Sequence, residues 1–390
     1  MKTEILKSTA LLLLSIFVYV PLLAQTHSTE SSAQDEPINP DRIGSYYSAF
    51  PLGGYSSDWG FYGGGYLQRI DYGLDVRPFV NNFKVDFVVS TKGYIVSQAE
   101  YERTQTFGLN FRSRIEFIGQ RISEGHYFGI GNNTEFDDEQ FEHGYYYYEN
   151  REFFLKYIGR KRIAEYGTHG KVDLYGTTSI WQVNSMSNGS ETLFDSERPT
   201  GTSKSRVGKV GAGLMIDSRD SEFTPSSGIQ YDIGFNIAPA LFDFSYSEAI
   251  IDLRHYINPF STVIFAHRFK YEEIFGDAPF WALPVIGNEM GLRGFHLNRF
   301  RGGRTILQMA EIRSWLFSVW NDEIRVGAQL FWDSGRVFSN HDSNAFFDQW
   351  KHTFGIGTAI NLFSPDFILR TDIGFSNESI RIYFGSGFVF

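Results

Sequence analysis

The closing stretch, Ser379-Ile380-Arg381-Ile382-Tyr383-Phe384-Gly385-Ser386-Gly387-Phe388-Val389-Phe390, alternates between two kinds of side chain. Ile380, Ile382, Phe384, Phe388 and Phe390 fall on one face, and Arg381, Tyr383, Gly385, Gly387 and Val389 on the other. A period of two is that of a β-strand whose faces meet different surroundings. The pattern recurs upstream. Ala249, Ile251, Leu253 and Ile257 oppose Asp252, Arg254 and Tyr256, while Leu369, Ile373 and Phe375 oppose Arg370 and Asp372. Charges in mid-strand on one face suit a wet lumen and are costly against the dry core of a soluble sandwich or propeller. The expected fold is all-β, a transmembrane antiparallel barrel with an apolar outside.

Composition agrees. The chain has 390 residues, 17% aromatics with 38 Phe and 22 Tyr, and a mean hydropathy of -0.24. A helical membrane protein needs apolar runs of roughly 18 residues, and none occurs beyond the N-terminus. A barrel hides its apolar residues by alternation, so its average looks soluble. The absence of cysteine excludes disulfides and thiolate metal sites. A formal charge of -10 argues against nucleic acid as a partner. The nine histidines are scattered and form no metal-binding pair at helical spacing, so neither metal nor cofactor is expected. No Gly-x-Ser-x-Gly elbow occurs, and the chain is read as not an enzyme. The acidic run Asp137-Asp138-Glu139 reads as a solvated loop, and Tyr145 to Tyr148 as part of an interfacial aromatic belt.

Lys2 and Lys7 before an apolar stretch from Ala10 to Leu23, with Ala24 following, read as a secretory signal over residues 1–24. Residues 25–55 read as a short flexible tail, and residues 56–390 as the barrel. Strand-length segments are placed near 59–69, 80–90, 93–103, 107–119, 145–160, 170–183, 206–217, 228–238, 246–257, 260–272, 303–317, 322–333, 351–362, 367–375 and 379–390. That series is odd, whereas single-chain bacterial barrels close with an even number, so one strand is missed or wrongly split and sixteen is the expectation. The longest loop is 273–302.

Three segments carry more than alternation. Gly211 to Asp217 leads into Ser218-Arg219-Asp220, followed by Phe223, Pro225 and Gly228. Asp and Ser satisfy turn backbone, Pro fixes φ, and Gly allows a tight re-entry. The long loop holds Gly291-Leu292-Arg293-Gly294-Phe295, and Phe331-Trp332-Asp333-Ser334-Gly335 lies near the end of a later strand. Together these resemble the bacterial surface antigen barrels of the BamA/TamA assembly-factor superfamily. The first looks like that group's strand-turn-strand signature, with Asp217, Arg219, Asp220, Pro225 and Gly228 as its residues. The second is similar to its Val/Leu-Arg-Gly-Phe/Tyr motif at the tip of a loop folded into the lumen. The third resembles its Phe-x-Asp-x-Gly motif, and Glu311 matches an acidic residue paired there with the loop arginine.

The resemblance implies that Leu292, Arg293, Gly294 and Phe295 enter the lumen, with Glu311, Phe331 and Asp333 as partners of the arginine. It implies an outer-membrane location in a Gram-negative bacterium and help with protein insertion or translocation there. A seam between first and last strands would be weakened by Gly385 and Gly387, and Phe390 looks like the terminal signal of outer-membrane barrels. Partners would be outer-membrane lipid and lipopolysaccharide, unfolded outer-membrane clients and a periplasmic protein. Such factors normally carry periplasmic POTRA modules, for which residues 25–55 are too short, so a barrel lacking them is expected. The alternatives are a passive channel and an outer-membrane hydrolase.

Overall fold

The computed structural model describes residues 43–390 except 75, 77–78, 107–110, 190, 222–223, 261, 320–323, 339–345, 347 and 363–367. The signal at 1–24 and the first part of the expected tail lie outside the described residues, as does Phe223.

The wall starts with β1 (Gly44–Ser56), β2 (Gly60–Tyr72), β3 (Asn81–Ser90), β4 (Tyr94–Arg103), β5 (Arg112–His126) and β6 (Tyr147–Tyr166). It continues with β7 (Gly170–Ser187), β8 (Ser203–Asp217), β9 (Gly228–Ala238), β10 (Ser245–Phe260) and β11 (Val263–Asp277). Two short strands, β12 (Val285–Ile286) and β13 (Phe300–Arg301), then leave the wall as a ribbon of their own. The wall resumes with β14 (Arg304–Val319), β15 (Ile324–Phe338), β16 (Lys351–Leu362), β17 (Ile368–Phe375) and β18 (Ile380–Ser386). Each wall strand pairs antiparallel with its neighbours, β11 joins β14 across the ribbon, and β1 meets β18 to close sixteen strands.

The strand missed in the sequence is β1. It occupies residues expected to be tail, so the barrel begins at Gly44 rather than 56. Gly53, Gly54 and Pro51 break its apolar pattern, and glycine and proline are what an edge strand tolerates. The closing strand is shorter than expected. β18 ends at Ser386, Gly387 adopts φ +70, and Val389 and Phe390 turn inward to be buried.

Alternation separates the two faces. On β9, Ile233, Phe235 and Ile237 are exposed outward, a lipid-facing apolar band, while Gln230 is buried inside. The inner face is polar and interlinked. Asp252 takes Arg254 at 2.9 Å and Arg268 at 2.7 Å, and Glu248 takes Lys209 at 3.1 Å. Apolar packing sits in the lumen around the ribbon and its loop. Leu292, Phe295 and Phe300 pack with Leu307, Met309 and Val337 of the wall, and Phe280 with Tyr127, Tyr148 and Phe194. The tyrosine run is corrected by this arrangement. Tyr146 and Tyr148 are buried against Phe128 and Phe194 instead of joining a belt. Asp137 caps a short helix, Asp138–Glu142, by accepting from Gln140 N at 2.8 Å.

The β8–β9 turn is built by its carboxylates. Asp217 accepts from Arg219 N and Nε, each at 3.0 Å. Asp220 accepts from Ser221, Ser226 and Ser227 backbone N–H groups at 3.0, 2.9 and 3.1 Å. Burial opposes ionisation of Asp220, yet these bonds and the Ser226 hydroxyl hold its carboxyl below the usual range. Pro225 is buried, and Gly228 has φ +104 with a Cβ there overlapping Ser218 O. Gly228→Ala is therefore expected to destabilise the barrel by about 1–3 kcal/mol, read as a lower urea midpoint in lipid vesicles.

Candidate functional site

Register places Glu311 (β14) opposite Phe331 (β15), Phe331 opposite Gly355 (β16), and Gly355 opposite Gly374 (β17). This row on the inner wall runs carboxylate, aromatic ring, glycine, glycine. The glycines make a shallow floor. A Cβ on Gly355 would overlap Phe331 Cζ, and one on Gly374 would overlap the carbonyl of Arg293. The loop between β11 and β14 rests there, with Leu292 at φ 60 and Gly294 at φ +121 bending its tip.

Arg293 stands over the row and is fully buried. Its Nη2 reaches Asp333 Oδ1 at 2.8 Å, while Nε and the backbone N–H both donate to Asp333 Oδ2, at 2.9 and 3.0 Å. Its Nη1 meets Glu311 Oε1 at 2.7 Å and Asp372 Oδ2 at 3.2 Å. The guanidinium carbon lies 3.5 Å from the centre of the Phe331 ring. A planar fork of donors is what lets one side chain hold three carboxylates at once. Those acids are shared in turn. Glu311 takes Arg313 at 2.8 Å, Asp372 takes Arg370 at 3.1 Å, and Gln329 Nε2 donates to Asp372 Oδ1.

The rest of the loop tip is also held. Ser376 and Ser379 hydroxyls donate to Gly294 O at 2.8 and 2.7 Å, and Arg299 pairs with Glu378 at 2.7 Å. Leu297 N donates to Asp58 at 3.2 Å, and Arg381 Nη1 lies 3.0 Å from His296 Nδ1. Arginine can only donate, so that ring nitrogen is the acceptor. Burial first, then the Arg381 charge, lowers the His296 pKa to about 2 and keeps the ring neutral. Between loop and wall lies a cavity of about 330 Å³ whose lining includes Trp59, Tyr94, Trp181, Trp281 and Glu289. Burial pushes the Glu289 carboxyl up to about 8, opposed by Arg370 and reinforced by Asp58 and Asp372.

The structure thus brings Arg293 together with Glu311, Phe331 and Asp333, packs Leu292 and Phe295 in the lumen, and sets Gly294 against β17. Asp217, Arg219, Asp220, Pro225 and Gly228 form a separate turn between β8 and β9. Gly385 lies in β18, but Gly387 lies beyond it, and the Phe390 carbonyl accepts from Arg313 at 2.8 Å inside the lumen. Sequence reasoning missed Asp372 as a partner of Arg293, although alternation had put it on the inner face. It also missed Asp58, His296, Arg299 and Arg381, which no motif marks.

Residues 74–390 match the Omp85 superfamily domain. Among solved structures, BamA from Haemophilus ducreyi lacking POTRA domains 1–3 aligns with TM-score 0.59 and 11% identity, over 88% of this chain and 70% of that one. CdiB from Escherichia coli aligns with TM-score 0.59 and 10% identity over 88% and 62%. CdiB from Acinetobacter baumannii gives 0.53 and 11% over 88% and 59%, so this chain spans less than two thirds of either CdiB chain. At such identities the likeness concerns the fold. No curated protein sequence matches.

Arg293→Ala leaves Asp333, Glu311 and Asp372 short of a counter-charge and is expected to lower unfolding free energy by about 3–5 kcal/mol. Arg293→Lys recovers little of it, since an ammonium cannot reproduce the fork, and urea unfolding in vesicles compares the two. Glu289 gives a pH signature. Its carboxyl releases a proton near 4.5 when unfolded and near 8 when folded, so the folded state binds more protons in between. Stability should fall as pH rises through that window, and Glu289→Gln should flatten the slope of the urea midpoint against pH.

Proposed function

Because the chain belongs to the Omp85 superfamily, we propose that it assists insertion or export of proteins at the bacterial outer membrane, acting through the seam between β1 and β18. The observation that carries this reading is the pairing at that seam. β1 pairs with β2 from end to end, but with β18 at Ser56↔Tyr383 alone among the described residues. From Ala49 to Tyr55, no ladder pair with β18 occurs among the described residues. A sheet edge with unmet backbone groups is a template for another strand, and in lipid those groups are costly until paired. An unfolded outer-membrane protein could pair one strand there by β-augmentation.

The outward cover of that edge is thinnest between the Tyr55–Phe61 ring pair and Tyr47 with Leu67. By alternation with Leu52 and Tyr62, which face the lumen, the outward positions of β1 and β2 include Ala49, Pro51, Gly53, Gly63 and Gly65. The packed loop in the lumen speaks against a passive channel as the main activity. In this reading the partners are outer-membrane lipid with its lipopolysaccharide, an unfolded client, and a periplasmic protein that delivers it.

The test is insertion of an unfolded outer-membrane protein into liposomes that contain this barrel. The chain has no cysteine, so Ser57→Cys with Ile382→Cys gives one defined cross-link, at residues joined by Ser57 N to Ile382 O at 3.0 Å. Client folding should outpace empty liposomes, drop to their rate when the pair is oxidised, and return on reduction. Equal acceleration by oxidised and reduced barrels would remove the seam from the mechanism.

A further inference from the structure

The lumen loop grips both banks of the seam. On the β1 side, Asp58 in the turn after Ser56 accepts the Leu297 backbone N–H, and Leu297 packs against the cluster of Trp59, Leu52 and Tyr94. On the β18 side, Arg381 holds His296, Tyr383 Oη donates to Phe295 O at 3.4 Å, and Ser376 and Ser379 hold Gly294. The banks are tied directly as well, because Arg381 Nη2 donates to the same Asp58 oxygen that takes Leu297 N–H. Asp58, Arg381 and His296 are each at most 6% exposed. With one ladder pair at this junction, these side chains carry much of what holds the strands together.

We propose that the loop tip is a staple across the seam, with Asp58 as the shared acceptor, so that loop release and seam opening are one coupled event. The proposal rests on the seam reading above and adds its regulation: a client engages β1 only as the loop lets go. The physical reason is the sharing. Separating the strands takes Arg381 from Asp58 and leaves two poorly hydrated charges without partners. It also deprives His296 and Leu297 of the groups that fix them, so the tip loosens. By linkage, whatever frees the loop must favour the open seam by the same factor.

Asp58, His296 and Arg381 are positioning residues, so the test reads conformation. Phe61→Cys and Ile380→Cys place spin labels on exposed outward positions beside the seam, away from the contacts above. Label separation reports the seam, and amide hydrogen exchange over residues 294–299 reports the loop. Asp58→Asn keeps the shape and removes the charge. It is expected to raise the open-seam population at least about fivefold and to accelerate exchange at the tip by a similar factor. Asp58→Glu should restore part of both. Heat-modifiable electrophoretic mobility checks that each barrel is folded, and Arg381→Lys attacks the latch from the other bank if Asp58→Asn does not fold. A wider seam with unchanged exchange, faster exchange with an unchanged seam, or no change in either would overturn the coupling. Client insertion is measured separately: a barrel whose seam and loop move together but inserts no client sustains the staple and refutes the assembly role.

Discussion

Arg293 is fully buried, and a guanidinium removed from water is tolerable only where carboxylates and hydrogen-bond acceptors surround it. The lumen meets that condition by balance. Arg293, Arg313 and Arg370 interleave with Glu311, Asp333 and Asp372, three cations to three anions, on β14, β15, β17 and the loop. No member can leave without stranding another. The loop's place in the barrel therefore follows from charge matching, and the apolar packing of Leu292, Phe295 and Phe300 fills the space that the ion pairs define.

The same constraint explains the glycines nearby. A guanidinium that must reach acids on three strands has to lie close to the wall, and the wall yields room only where side chains are absent. Gly355 gives Phe331 the space to lie flat beneath Arg293, and Gly374 lets the loop backbone come down on β17. Gly294 supplies the positive φ that brings its own carbonyl to Ser376 and Ser379. These residues weaken strands in isolation, and here they are sites of close backbone approach.

Much of this is legible in the sequence. Mid-strand charges such as Asp252, Arg254, Arg370 and Asp372 mark an aqueous inner face, and the resemblance of the segments around Arg293, Glu311 and Asp333 to a known family implies the lock. What stayed hidden needed register or context. Asp372 joins the lock because Gln329, Gly357 and Asp372 align across β15, β16 and β17, and alternation within one strand carries no such information. Pro51 and its glycines erase the period of two in β1, so its pattern reads as tail. The apolar pattern of β18 continues to Phe390, so alternation gives no sign that Gly387 turns the backbone inward. Asp58 and Arg381 sit in chain segments hundreds of residues apart, and only closure of the barrel makes them neighbours.

The barrel is thus unequal around its circumference. β14 to β17 carry a charge-balanced lock and long ladders, while among the described residues β1 and β18 meet at a single ladder pair beside it. A loop anchored firmly on one side and by a few shared groups on the other can swing from its anchor without leaving the lumen. The lock would then serve less to close the barrel than to keep the staple within reach of the seam. A loop free at both ends would meet a client already exposed to lipid, with unmet backbone groups at the moment they are most costly. On the proposed seam reading, holding one end fixed would confine the open state to the interval in which a strand is available to pair.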